Sequence, residues 1–171
     1  MLCAPSGIKL RLMIGEPRAI TVEPLASSDL VAVAECIAID AEAFPYASAQ
    51  FGMQSASSCV LAARQPGQSH IVGFIAGRVQ AGALHLEGLA VDTRARRHGI
   101  GRALVRAAVA CAVARRLDRV TLHVSVGNRA AIALYEAEGF VVVGRLAGFY
   151  PRGAYGAQTD AYEMARPVAS T

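Results

Sequence analysis

The hexapeptide Arg96-Arg97-His98-Gly99-Ile100-Gly101 constrains this chain more than any other stretch. It follows an alternating apolar pattern over residues 83–91, expected as a strand, and it opens an apolar-rich run expected as a helix from about 101 to 116. A helix that begins at such a turn presents unpaired backbone N–H groups and about half a positive charge to whatever lies in front of it. Glycine lets that backbone approach a ligand with no Cβ between them. Arg96, Arg97 and Arg102 add charge-assisted hydrogen bonds at the same point. The combination suits a phosphate or diphosphate. It is not a P-loop, because the chain has no Gly-Lys pair. Nor is it a dinucleotide turn: Leu104 stands where a third small residue is needed, and Asp118 precedes the next strand instead of following it.

With 171 residues the chain fits one domain, and a hydrophobic fraction of 54% suffices for a sizeable core. Residues 1–16 lack a clear period and read as a loosely ordered extension; 17–168 read as the domain. Strands are expected at 18–25, 59–63, 70–79, 83–91, 119–126, 140–146 and 160–165. Helices are expected from Ser27-Ser28-Asp29, which offer N-caps, to about 42, at 101–116 and at 128–138, with a short one at 47–56. Pro45 ends the first of these, and Gly139 is placed to end the last in a left-handed conformation. Strands in succession, then a β-α-β crossover and a closing hairpin, indicate an α/β (α+β) fold. Its central sheet is mixed, mostly antiparallel, of six to seven strands flanked by about four helices.

The net charge of +4 rests on seventeen Lys and Arg, and eight arginines fall between Arg94 and Arg119. They gather at one turn and along one helix, whereas a nucleic-acid surface spreads its cations over a face with stacking aromatics. Cys3, Cys36, Cys59 and Cys111 have neither metal-ligand spacing nor the pattern of a disulfide framework; free thiols in a reducing, cytoplasmic setting are expected. No secretion signal and no run of about eighteen apolar residues is seen. No metal, nucleic acid or membrane is expected, and the assembly is read as a monomer or weak homodimer.

The 96–101 turn resembles the R/Q-x-x-G-x-G/A signature of the GNAT acetyltransferases. A second motif of that family also stands in order: Leu122-His123-Val124-Ser125-Val126-Gly127-Asn128, then Ala131, Leu134-Tyr135 and Gly139-Phe140. The resemblance implies a GNAT fold that uses acetyl-CoA and releases coenzyme A. It implies that Arg96, Arg97, His98, Gly99, Ile100, Gly101 and Arg102 hold the pyrophosphate. Leu89, Ala90 and Val91 would then bond the pantetheine arm through their backbone, with Asn128, Ala131 and Tyr135 completing the cofactor site. A wider likeness, from Phe44-Pro45-Tyr46 to Tyr150-Pro151, is to the RimI-like ribosomal-protein alanine N-acetyltransferases and related protein N-terminal acetyltransferases. In those relatives a Phe-Pro loop and a tyrosine-bearing loop enclose the substrate, which assigns that task to Phe44, Pro45, Tyr46, Phe149 and Tyr150.

Direct acetyl transfer needs a neutral amine and a proton for the departing thiolate. An α-amine has a pKa of about 8, so roughly a tenth is free at neutral pH and modest base help suffices. Tyr135 matches the family's proton donor, and a packed core tyrosine is its other reading. Asn128 is either a cofactor ligand or an N-cap. RimI enzymes usually carry a glutamate where this chain has His123, while some N-terminal acetyltransferases resemble it and use the histidine as base. His85, on the neighbouring strand, and Glu87 are further candidates; two histidines facing across adjacent strands can hold a relay water. Packing on the sheet with one nitrogen bonded is the other reading of each histidine. The expected acceptor is the N-terminal α-amine of a protein or peptide. A small-molecule amine is the alternative, and a non-catalytic CoA-binding regulatory module is the alternative of another class.

Overall fold

The computed structural model describes residues 10–13, 19–43, 58–65, 67, 69–154 and 157–168. The strands are β1 (Leu10–Met13), β2 (Ala19–Pro24), β3 (Ser58–Arg64), β4 (Ile71–Gln80), β5 (Ala83–Val91), β6 (Arg119–Ser125), β7 (Val141–Leu146) and β8 (Ala161–Pro167). The helices are α1 (Leu30–Ala43), α2 (Ile100–Ala114) and α3 (Arg129–Ala137), with a 3-10 turn at Thr93–Ala95 before α2. All eight strands form one sheet in the order β1-β2-β3-β4-β5-β6-β8-β7. Every pairing is antiparallel except β5 with β6, the pair that α2 connects. Among the described residues no helix is long and apolar enough to cross a membrane.

The sheet is covered on both faces because its central strands are apolar on both. Cys59, Leu61 and Ala63 of β3 pack into one cluster with Ile75, Leu84, Leu86 and the α2 residues Ala103, Leu104, Ala107, Ala108 and Cys111. The alternate residues Val60 and Ala62 meet Ala32, Cys36 and Ile39 of α1 in a second cluster with Phe74, Ala76 and Ala90. Leu104, 0% exposed, is worth about 2–3 kcal/mol of burial at this seam. Asp29 caps α1 as the sequence suggests, its Oδ1 accepting from Ala32 N–H at 3.0 Å. Ala81 and Gly82, both at positive φ, turn β4 tightly into β5.

One expectation changes. Leu10–Met13, placed by its composition in a loosely ordered extension, pairs with β2 and adds an eighth strand at one edge. Three α-helices are seen among the described residues; the fourth, expected at 47–56, lies outside them.

Two irregularities in β5 shape the site. Opposite β4, Ala76 pairs Gly88 and Gly77 pairs Leu86, so Glu87 is an extra residue at a β-bulge. Opposite β6, parallel pairing runs from Ala83↔Arg119 only to Leu86↔Leu122. Beyond that point the two strands part, and the sheet opens like a fork.

Candidate active site

The fork leads into an open cleft of about 710 Å³ lined by Leu89, Ala90 and Val91 of β5, by the turn and first residues of α2, and by α3. The turn gets its shape from backbone conformation. Arg97 (φ 67) and Gly99 (φ 75) are both left-handed, which suits glycine and is uncommon for arginine. Gly99 is the N-cap of α2 and supplies no side-chain acceptor. The first N–H groups of that helix therefore have no side-chain cap, and they open toward the cleft beside Arg96 and Arg97. Arg96 is steadied by an Nε–H bond to the carbonyl of Val91 at 3.0 Å, which ties the turn to the end of β5. This combination fits a pyrophosphate on one side and an extended, amide-bearing chain on the other.

Of the residues expected at the cofactor site, Leu89, Ala90, Val91, Arg96, Arg97, Gly99, Ile100, Gly101, Arg102, Asn128 and Ala131 all line this cleft. His98 does not; its Nδ1 lies 3.3 Å from the carbonyl of Ala95. Arg102 lines the cleft with its charge already shared, since its Nε is 3.1 Å from Oε1 of Glu138. Glu138 is buried, and its Oε2 accepts from Arg106 Nε at 2.8 Å. The C-terminal end of α3 is thus fastened to α2, which sets the distance between two cleft walls. Asn128 is the N-cap of α3, its Oδ1 accepting from Ala131 N–H at 3.2 Å, and it also lines the cleft.

Tyr135 is on α3 but not in the lining; it is buried, 7% exposed. Its position follows from how α3 ends. Gly139 (φ 83) is left-handed, Gly139 N–H bonds the carbonyl of Glu136 at 3.0 Å, and Phe140 N–H bonds that of Tyr135 at 3.0 Å. This is a Schellman ending, in which the residue after the glycine packs back on the helix. Here the Phe140 ring meets the Tyr135 ring edge-on, centroids 5.6 Å apart.

At the crotch of the fork the structure brings four expected residues together. The rings of His85 and His123 lie 4.8 Å apart, His123 and Phe149 lie 4.7 Å apart, and Phe149 meets Tyr150 edge-on at 4.9 Å. The histidines are diagonal neighbours on one face, His85 opposite Thr121 in the parallel register and His123 two residues further along. Burial lowers the His85 pKa, the His123 ring adds to this, and Glu87 and Glu163 partly oppose it, so the neutral form of His85 is favoured. Glu87 is engaged in an ion pair with Arg78. The loop that carries Phe149 is pinned by Asp160, which accepts from Gly148 N–H at 3.0 Å and pairs with Arg145 at 2.7 Å. Phe44, Pro45 and Tyr46 lie outside the described residues.

Sequence reasoning missed several participants. Thr121 Oγ1 is 2.9 Å from His85 Nδ1 and fixes that ring; its place two residues before His123 on a strand was the available signal. Ala43, Ala95, Ala130, Ala133 and Leu134 also line the cleft, and nothing in such small apolar residues distinguishes them beforehand from core. Among the described residues no group of three or more His, Cys, Asp or Glu is placed to hold a metal ion.

Residues 30–140 match the model of the acetyltransferase (GNAT) family, from the first residue of α1 to the end of the second motif. The chain belongs to the GNAT family. Among GNAT structures it is similar to the ribosomal-protein-S18-alanine N-acetyltransferase from Escherichia coli, with TM-score 0.75 and 30% identity over 89% of this chain and 96% of that one. It is also similar to Arabidopsis thaliana NAA60 in complex with a bisubstrate analogue, with TM-score 0.73 and 25% identity over 89% of this chain and 99% of that one. Among curated proteins it is 43% identical over 65 residues to N-alpha-acetyltransferase 30 of Homo sapiens, 38% of this chain. That alignment spans only 18% of the human protein.

Proposed function

We propose that this GNAT protein transfers the acetyl group of acetyl-CoA directly to the N-terminal α-amine of a protein or peptide. The observation that carries the reading is the fork itself. One side of it leads to the helix N-terminus with Arg96 and Arg97, and its crotch holds a neutral His85 against His123 under Phe149. The first arrangement suits the donor's pyrophosphate, and the second suits an amine that must lose a proton. In the reaction the amine nitrogen bonds to the thioester carbon, the C–S bond breaks, and the amine's proton leaves. His123, or a water between it and His85, takes that proton. Tyr135 supplies one to the departing sulfur, the role that its place on α3 has in the family.

The relatives support a protein or peptide acceptor: two carry N-terminal or ribosomal-protein acetylation in their names. The aromatic pair Phe149 and Tyr150 beside the histidines supplies apolar and hydroxyl surface for a peptide end. A reducing compartment such as the cytoplasm belongs to the same reading, from cysteines that lack the spacing of a disulfide framework.

The test is coenzyme A release, followed by thiol detection, with acetyl-CoA and a set of N-terminal peptides that includes alanine-starting ones. Turnover on peptides with a free α-amine, abolished by blocking that amine, is expected. Turnover only on small amines replaces the acceptor, and acetyl-CoA binding without turnover on any amine replaces the enzyme with a regulatory module.

A further inference from the structure

Away from the cleft, two thiols meet inside the core. Cys59 of β3 and Cys111 of α2 are 3% and 0% exposed, and their sulfurs are 3.2 Å apart. That is well inside the contact distance of two unbonded apolar groups, and a disulfide requires closure to about 2.05 Å. The remaining shift is about 1.1 Å, shared between two side chains. We propose that Cys59 and Cys111 form a reversible disulfide when the protein meets a hydroperoxide, fastening α2 to β3.

The surroundings divide the labour between the sulfurs. The hydrogen bond from Cys59 and the guanidinium of Arg115 hold the Cys111 thiol below its usual range against the opposing effect of burial, while the same bond and burial push Cys59 up. Cys111 is therefore the more readily ionised of the two and the attacking sulfur. It lies in the last turn of α2, whose carbonyls are closed by Arg115 N–H, and a helix end opens more readily than its middle. Cys36, in the separate cluster under α1, is pushed up to about 12 by burial and has no such role.

The chemistry balances with hydrogen peroxide, the simplest hydroperoxide, as the only co-reactant. The Cys111 thiolate attacks one peroxide oxygen, the O–O bond breaks, and a sulfenic acid and hydroxide result; the proton released by Cys111 converts hydroxide to water. The Cys59 sulfur then attacks the Cys111 sulfur. The S–S bond forms, the S–O bond breaks, and the oxygen departs as a second water carrying the Cys59 proton. Two thiols are oxidised and one peroxide is reduced. Cys111 is ten residues, roughly 15 Å, along α2 from Gly101, so the cross-link does not touch the turn at the cleft. Its expected effect is on stability, because it closes a long loop in the unfolded chain.

The experiment treats the full chain with hydrogen peroxide and reads it by non-reducing peptide mapping, intact mass and thiol titration in denaturant. A linked peptide joining Cys59 to Cys111, a loss of about 2 Da, and a fall from four titratable thiols to two are expected, all reversed by dithiothreitol. Oxidised protein should melt at least about 5 °C higher than reduced protein. In Cys59→Ser the Cys111 sulfenic acid has no partner, and dimedone should label it. Four thiols surviving a peroxide excess, a different pair in the map, or direct conversion of Cys111 to sulfinic acid in the wild-type chain overturns the proposal. The wild-type map decides alone if the variant does not fold.

Discussion

His85 and His123 stand with ring centroids 4.8 Å apart at the point where β5 and β6 stop pairing, and the His123 ring adds to burial in lowering the proton affinity of His85. Two imidazoles this close do not comfortably carry two charges. In the proposed reaction the pair would take a single proton from the incoming amine.

The pH dependence follows in sign. His85 titrates below its ordinary 6.5 in the folded protein, so the unfolded chain binds the extra proton more readily. Its contribution to stability is complete above pH 6.5 and is lost as pH falls through the lowered value. Proton NMR titration should find His85 below 6.5, and in His123→Ala its pKa should move up. A His85 that titrates above 6.5 in the wild-type chain contradicts the electrostatic reading.

His123→Ala should lower turnover by about 10²-fold at neutral pH, the low end for general bases, because part of an α-amine is already neutral. The deficit should shrink as pH approaches the amine's own pKa, with acetyl-CoA affinity unchanged. Equal turnover in the two proteins at pH 6.5–7 removes His123 from the mechanism.

Tyr135→Phe keeps the ring that packs on Phe140 and the Schellman ending around it. The melting temperature and acetyl-CoA affinity should therefore stay close to wild type, while kcat falls about 10²-fold or more. Wild-type kcat in a folded variant means that the hydroxyl is not the acid.

Arg97→Gly separates the two properties of the turn. The left-handed backbone at Arg97 becomes relaxed, so thermal stability should hold or rise slightly. Loss of the guanidinium should weaken acetyl-CoA binding about tenfold, measured by calorimetry. Gly101→Val should also weaken it, because a Cβ there already comes within 3.3 Å of Leu134 across the cleft. Undiminished affinity in both would move the pyrophosphate elsewhere.

Local chemistry made most of the architecture legible. The Ala81-Gly82 turn, the Asp29 cap and the Gly139 stop each act within a few residues, so strands and helices fall within a residue or two of where pattern places them. Leu10–Met13 escaped because an edge strand needs only one partner, and that partner, β2, gives it regularity that four residues cannot signal alone. In the site, glycine and arginine at the turn were legible from their chemistry. Thr121 and the Glu138 link to Arg102 and Arg106 were not, since each depends on which side chain from another element arrives beside it. The bulge at Glu87 left a trace in the glycines Gly77 and Gly88, placed mid-strand where packing residues would be expected.

The forked pairing of β5 and β6 carries a liability as well as a site. Sheets hide their unpaired strand edges at the rim or cover them, because bare edges recruit other chains. Among the described residues this one leaves two facing edges unpaired in its interior, from Glu87 and from His123 onward. Until something fills the gap, those interior edges can pair with another chain. A bound donor would then act as a chaperone of sorts, and the protein should resist aggregation better with its cleft occupied than empty.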